Sequence, residues 1–165
     1  MTSSEVEIAY LADHSDLTEQ LARISWNEWR SIYEQRCETF DDALRKHRER
    51  INIDCLPLAL VALADAELVG TVSLKHNDLD IRPGIDPWLG GVFVVPKWRN
   101  RGVASLLVRR AVEEATRLKI PSLFLWTSTA EALYLKLGWR AIERTDYCGQ
   151  RIVIMEYASA KPSNN

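Results

Sequence analysis

The spacing of apolar and polar positions changes period several times along the chain, and each change marks an element. Val6 to Leu11 reads as a short first strand. From Ser15 to about Tyr33, apolar residues at Leu17, Leu21, Ile24, Trp26 and Trp29 approximate a helical period, with Ser15 or Asp16 as the N-cap. Trp26 and Trp29 fall on one face of that helix. A second helix is expected from about Phe40 to Ile51. Asp41 and Asp42 stand near its start and Lys46, Arg48 and Arg50 toward its end, the arrangement the helix dipole favours. The period then shortens. Leu58 to Ala64 and Leu68 to Lys75 are apolar and suited to strands, and Asp65-Ala66-Glu67 joins them as a hairpin.

Asn77 to Pro87 is a loop by its turn chemistry, and Trp88 to Val95 is a strand closed by Pro96. Arg101 to Lys119 is one helix, with Val103, Leu106, Leu107, Ala111, Ala115 and Leu118 on a broad apolar face. Pro121 breaks it. Ser122 to Thr127 is a strand, and Ala130 to Leu137 is a short helix stopped by Gly138. Trp139 to Arg144 and Arg151 to Tyr157 are the last strands, joined through Tyr147-Cys148-Gly149-Gln150. The order β-α-α-β-β-β-α-β-α-β-β predicts a mixed α/β sheet protein.

The length of 165 residues fits one domain, taken as 1–160 with a frayed polar tail at 161–165. A formal net charge of −2 argues against a dedicated nucleic-acid binder. No apolar run approaches a membrane span, and Met1 to Glu5 lack the basic-then-apolar pattern of a secretory signal. Cys37, Cys55 and Cys148 are odd in number and widely spaced, which suits reduced thiols in a cytoplasmic protein. His14, His47 and His76 are isolated, so no metal-ligand spacing is present and no metal is expected.

The chemistry concentrates after the strand at Val92-Phe93-Val94. A short basic loop, Pro96-Lys97-Trp98-Arg99-Asn100-Arg101, runs straight into a helix at Gly102-Val103-Ala104-Ser105. A helix start offers free N–H groups and the positive end of the dipole, and Gly102 lets a ligand approach the backbone. Arg109 and Arg110 follow, and no acidic residue occurs between Lys97 and Val112. This pattern suits a phosphate or pyrophosphate. It is neither a Walker loop nor a GxGxxG fingerprint, because Gly102 is the turn's single glycine.

Arg99-x-x-Gly102-x-Ala104 resembles the acyl-CoA signature of the GNAT acetyltransferase superfamily. Val94-x-Pro96 before it and Leu106-Leu107 after it match the family's framing. Glu131-Ala132-Leu133-Tyr134-Leu135-Lys136-Leu137-Gly138-Trp139 resembles the family's second hallmark. The resemblance runs from about Val6 to Tyr157. It implies a mostly antiparallel central sheet flanked by helices, with a splayed central strand. It further implies acetyl-CoA as co-substrate and direct attack on the thioester by an amine of a small molecule or peptide. Val92, Phe93 and Val94 then face the pantetheine arm, with the Val94 N–H on the thioester carbonyl. Arg99, Asn100, Arg101, Gly102, Val103, Ala104 and Ser105 hold the pyrophosphate, and Tyr134 protonates the departing thiolate.

Two departures stand out. Where many members carry a strand Glu, four residues before Val94, this chain has Gly90 followed by Gly91. The segment Trp126-Thr127-Ser128-Thr129 also lacks the loop Asn of many members. Glu131 reads as the end of a capping box, Ser128-x-x-Glu131, rather than as a base. Asp78 and Asp80 are the candidate bases, or attract a cationic amine, although turn formation accounts for them more simply. Tyr33, Asp80, Trp126 and Tyr147 are candidate substrate-groove residues, with Trp29 and Phe40 as further aromatics. A homodimer is left open. Two rivals remain: a non-catalytic acyl-CoA sensor on the same fold, and a nucleic-acid module using Lys97 to Arg110.

Overall fold

The computed structural model describes residues 5–158. The expected tail at 161–165 and residues 1–4 of the segment read against a secretory signal lie outside that range. Seven strands form one sheet: β1 (Val6–Tyr10), β2 (Leu58–Ala64), β3 (Glu67–Lys75), β4 (Trp88–Val94), β5 (Ser122–Thr127), β6 (Arg140–Tyr147) and β7 (Gln150–Ala158), in the spatial order β1-β2-β3-β4-β5-β7-β6. Every neighbouring pair is antiparallel except β4 and β5. The helices are α1 (Thr18–Glu28), α2 (Arg30–Gln35), α3 (Phe40–Arg48), α4 (Val103–Arg117) and α5 (Glu131–Lys136). The expected mixed sheet flanked by helices is therefore present.

Strand β2 shows why the sheet sits between helix layers. All seven of its residues are buried, so both of its faces must be covered. Leu58, Leu60, Ala62 and Ala64 join the cluster formed with Val103, Leu107, Val108, Ala111 and Ala115 of α4. Ala59, Val61 and Leu63 point the other way and pack with Leu21 of α1. This is the period-2 alternation of a strand carried through a fully apolar sequence.

The predicted first helix is corrected by the structure. Residues Leu11–Leu17 form a tight 3-10 segment with a kink at His14, and neither Ser15 nor Asp16 caps α1 with its side chain. The cap position is Leu17. Thr18 satisfies local groups instead, its hydroxyl donating to the Ser15 carbonyl at 2.7 Å. The helix then breaks at Trp29, whose φ of −115° and ψ of 28° leave the helical region. Trp26 and Trp29 consequently part company: Trp26 packs on Tyr33 and Phe40, whereas Trp29 joins the cluster around Trp88 and Ile154.

Three other boundaries move. The capping box lies at α3, where Thr39 and Asp42 bond reciprocally. At α5 the expected Ser128–Glu131 box is absent. The Thr127 hydroxyl accepts the Ala130 N–H at 3.0 Å, and Glu131 forms a two-point pair with Arg144 at 2.9 and 2.6 Å. The last hairpin is longer than expected and turns on Cys148 and Gly149, both with positive φ, so Tyr147 belongs to β6.

The site depends on how β4 sits. Its register with β3 slips between Thr71 and Ser73, opposite Gly91, whose φ of +64° marks a bulge that glycine adopts without strain. On the other edge β4 pairs with β5 at a single position, Trp88 with Phe124. Beyond it the two strands separate toward their C-terminal ends. The expected splayed strand is present, and α4 and α5 begin on either side of the opening.

Candidate active site

The opening between β4 and β5 is the mouth of a cleft of about 1390 Å³. One wall is the end of β4, the turn after it and the start of α4. The other lies across the sheet, beneath α1 to α3, and includes Thr71 and Ser73.

At the first wall, the Val95 N–H donates to the Val69 carbonyl at 2.9 Å. Alternation along the strand turns the Val94 amide the opposite way, into the gap left by β5. Arg99 ties the turn to the strand: its Nε donates to the Val94 carbonyl at 3.0 Å and its guanidinium lies 5.6 Å from the Phe93 ring centroid. Asn100 and Gly102 both have positive φ, at 62° and 80°. Successive amides in such conformations form a concave set of donors for an anion. The first α4 bond runs from the Leu106 N–H to the Gly102 carbonyl at 3.1 Å, so the amides of Val103, Ala104 and Ser105 have no acceptor in the helix. A Cβ built on Gly102 meets nothing within 4 Å.

Of the residues expected to hold a cofactor, Val92, Val94, Arg99, Asn100, Gly102, Val103, Ala104 and Ser105 line this cleft, while Phe93 and Arg101 do not. Arg101 lies over the Trp98 ring at 5.0 Å. Lys97 faces Glu67 at 3.6 Å, and Arg110 turns onto Tyr10 and Glu114.

Tyr134 lines the same cleft from α5, and its residue is only 6% exposed. Its ring packs edge-on against Trp139, and its hydroxyl has no hydrogen-bond partner among the described residues. Burial pushes its pKa up to about 12, so the phenol keeps its proton across the physiological range.

The second wall is polar and charged. Opposite Ser73 stands Gly90, and a Cβ there would lie 2.7 Å from Lys75 Cε and 3.0 Å from Asp78 Oδ2. The space that a side chain at position 90 would need is occupied by the Lys75–Asp78 ion pair, 2.7 Å long. Trp126 Nε1 donates to Asp78 Oδ2 at 3.0 Å, and Arg36 donates to the Asp78 carbonyl at 2.8 Å. Burial disfavours the Asp78 charge, yet Lys75, Arg36 and Arg50 together hold its carboxyl below the usual range. Asp78, for which turn formation was the simpler expectation, thus forms a partly buried ion pair inside the cleft. Asp80 is exposed and borders Tyr147, whose phenol is pushed up by burial and by Asp80. Tyr147 lies behind Trp126 at 5.4 Å and accepts from Arg36 Nε at 2.8 Å. Tyr33 and Trp126 line the cleft, and the Tyr33 hydroxyl bonds Ser25 Oγ at 2.8 Å.

The sequence reading missed Arg50, His47, Ser73 and Lys75. The Ser73/Lys75 alternation on β3 carried a signal, since two polar residues on one face of an otherwise apolar strand need partners. His47 Nδ1–H donates to the Ala43 carbonyl at 2.8 Å, which leaves Nε2 to accept from Arg50 at 3.3 Å. Burial, reinforced by Arg50, lowers the His47 pKa to about 3. The unfolded chain binds this proton near pH 6.5 and the folded chain does not. Stability is therefore complete above pH 6.5 and falls as pH drops from 6.5 toward 3, by up to about 1.4 kcal/mol per pH unit. Thermal midpoints of His47→Gln should lose the slope between pH 6.5 and 5, before carboxylates begin to titrate. An unchanged slope would assign it elsewhere.

Among the described residues no group of three or more His, Cys, Asp or Glu is placed to hold a metal ion. A family model described as acetyltransferase (GNAT) family matches residues 18–139. A search of curated protein sequences finds no match. Among solved structures, the chain is similar to the PaiA N-acetyltransferase of Thermoplasma acidophilum in complex with coenzyme A, at 22% identity and a TM-score of 0.65, over 93% of this chain and 99% of that one. It is also similar to an aminoglycoside 6'-N-acetyltransferase complexed with coenzyme A, at 15% identity and a TM-score of 0.71, over 96% and 99% of the two chains. An acyl-CoA N-acyltransferase from Pseudomonas aeruginosa gives 21% identity and a TM-score of 0.59, over 94% and 100%. At these identities the likeness is one of fold.

Proposed function

The chain belongs to the acetyltransferase (GNAT) family and is an acyltransferase of that fold, and from this premise we propose that it transfers an acetyl group from acetyl-CoA directly to a primary amine. The observation that carries the reading is the convergence, in one cleft, of a turned-out strand amide, a helix start rich in free amides and an unpartnered buried phenol. Two of the fold neighbours hold coenzyme A, which supports the same donor here.

In this reading the amides of Asn100 and of Gly102 to Ser105, with Arg99 beside them, receive the pyrophosphate, while Arg101 stays over the Trp98 ring outside the cleft. Val92 to Val94 extend the sheet edge toward the pantetheine arm. The Val94 N–H donates to the thioester oxygen as charge develops there. The amine nitrogen attacks the carbonyl carbon, the C–N bond forms and the C–S bond breaks. Tyr134 gives its proton to the leaving sulfur, and the proton shed by nitrogen restores the phenol through solvent. A phenol near pKa 12 keeps its proton until the thiolate forms beside it.

The three free cysteines, Cys37, Cys55 and Cys148, support a cytoplasmic setting for this chemistry. Among the described residues no helix is long and apolar enough to cross a membrane. The test is an amine panel with acetyl-CoA, read by free-thiol release and by mass of the product. Amine-dependent thiol release with matching N-acetylation is expected. Binding without turnover would favour the sensor reading and overturn this one.

A further inference from the structure

Arg50 is a charge the acyl-transfer reading leaves unused. It follows α3 in sequence, is 6% exposed and lines the cleft on the wall beneath the helices. Its side-chain bonds go to neutral acceptors, His47 Nε2 at 3.3 Å and Ser73 Oγ at 3.2 Å. Among the described residues it forms no ion pair with a carboxylate. Buried guanidinium groups are ordinarily matched by an anion, because an unmatched charge loses its hydration for nothing in return.

The neighbourhood sharpens this imbalance. Arg36, Arg50 and Lys75 all stand at this wall, and among the described residues Asp78 is the carboxylate set between them. Lys75 is already taken by Asp78. Arg36 is taken by the Asp78 carbonyl and Tyr147. Glu28 and Glu49 line the rim but are exposed, and Glu49 pairs with Arg45 at 3.0 Å. The wall therefore carries a net positive charge, and of its two arginines bonded only to neutral acceptors Arg50 is the buried one.

Position fits a two-ended molecule. Thr71, Ser73 and Lys75 share one face of β3, and Ser73 holds Arg50. Val94 pairs with Gly70 on the same strand, three residues from Ser73. That is about 10 Å along the strand. An acceptor whose amine reaches the thioester held at the Val94 amide can set an anionic group against Arg50 within one small molecule. His47, neutral and fixed by Ala43, keeps the guanidinium turned toward the cleft.

We propose that the acceptor is an amine that also carries a carboxylate, an amino acid or a close analogue, whose carboxylate binds the Arg50 guanidinium. This deepens the N-acetyltransferase reading and rests on it for the reaction. The same wall disfavours polycationic amines, which would bring further positive charge to Arg50 and Lys75.

The experiment compares glycine, β-alanine, 4-aminobutyrate and the common α-amino acids with their methyl esters and with putrescine, using wild-type protein and acetyl-CoA. At least one amino acid should be acetylated with kcat/KM about 10- to 100-fold above its ester, the value of a charge-assisted hydrogen bond. Arg50→Met should erase that preference and Arg50→Lys restore part of it, with acetyl-CoA affinity unchanged in both. The wild-type comparison stands even if Arg50→Met does not fold. Esters or putrescine used as well as the amino acids would overturn the proposal while leaving acetyl transfer intact. Calorimetry of the same amino acids on CoA-loaded protein separates the two readings: binding that Arg50→Met abolishes, with no transfer to any amine, supports the pocket and sinks the transferase reading. No amino-acid binding and no preference in turnover would sink the pocket alone.

Discussion

Replacing Gly102 by glutamate should lower acetyl-CoA affinity by at least about 100-fold while the fold survives. Gly102 has a φ of +80°, and the direction of its absent side chain is open space at the α4 start. A new side chain there meets no protein atom, so it disturbs packing little. It does project where a phosphate must approach the amides of Val103 to Ser105. Two like charges about 4 Å apart at an effective dielectric near 20 repel by about 4 kcal/mol. Solvent at this exposed turn reduces that figure, which sets the 100-fold floor rather than a larger one. The backbone strain of a side chain in the left-handed region adds about 1–2 kcal/mol to the cost of folding. Gly102→Ala carries that strain without the charge and should weaken binding less than about 10-fold. Calorimetry of acetyl-CoA on both variants, beside their thermal midpoints, tests this. A folded Gly102→Glu protein with wild-type affinity would remove the helix start from the donor site.

Gly102 was legible in the sequence because the need is local: a strand, a short basic turn and a helix are contiguous in the chain, and the spacing Arg99-x-x-Gly102-x-Ala104 fixes their geometry. Tyr134 and Gly138 were legible for the same reason. The second wall was not. Arg50 looked like a residue complementing the end of a helix dipole, yet its partner Ser73 is 23 residues away in sequence and on another element. Only the folded sheet brings them together. Asp78 looked like a turn former because its loop is rich in turn residues. Its partner Lys75 is near in sequence, but nothing local revealed that Gly90, across the strand, leaves the room both occupy. Glu131 failed in the opposite direction. Its capping-box spacing was real, but Arg144, 13 residues on and on the neighbouring strand β6, takes both of its carboxylate oxygens in a two-point pair.

Gly90 also bears on the proton balance. A glutamate at that strand position would meet Lys75 and Asp78, so the ion pair between them would have to shift to admit it. Asp78, held ionised by its cations, is a poor proton acceptor, because those cations stabilise the carboxylate against protonation. Its part is to hold Lys75 and Trp126 in place at the acceptor side. The amine then reaches the thioester already neutral and sheds its proton to water, and the chemical weight falls on the leaving group.

Tyr134→Phe should therefore lower kcat by about 10²- to 10⁴-fold, the usual contribution of a general acid. The substitution removes one oxygen and keeps the ring that packs edge-on against Trp139. Because the hydroxyl has no hydrogen-bond partner among the described residues, losing it orphans no group there, and the thermal midpoint should stay close to wild type or rise slightly. A tyrosine that merely filled the core would behave in the opposite way, with its hydroxyl bonded, stability lost on removal and turnover nearly normal. Acetyl-CoA affinity should change little, since the proton is needed only as the C–S bond breaks. The pH profile gives an independent reading. With the phenol near pKa 12, its ionisation should cause no loss of kcat below about pH 11, and the acid limb should follow the amine substrate's own pKa. In Tyr134→Phe the same acid limb should persist at the lower rate, because the amine still has to be neutral to attack. Normal kcat in the phenylalanine variant would take Tyr134 out of the reaction and leave the leaving thiolate to be protonated by solvent.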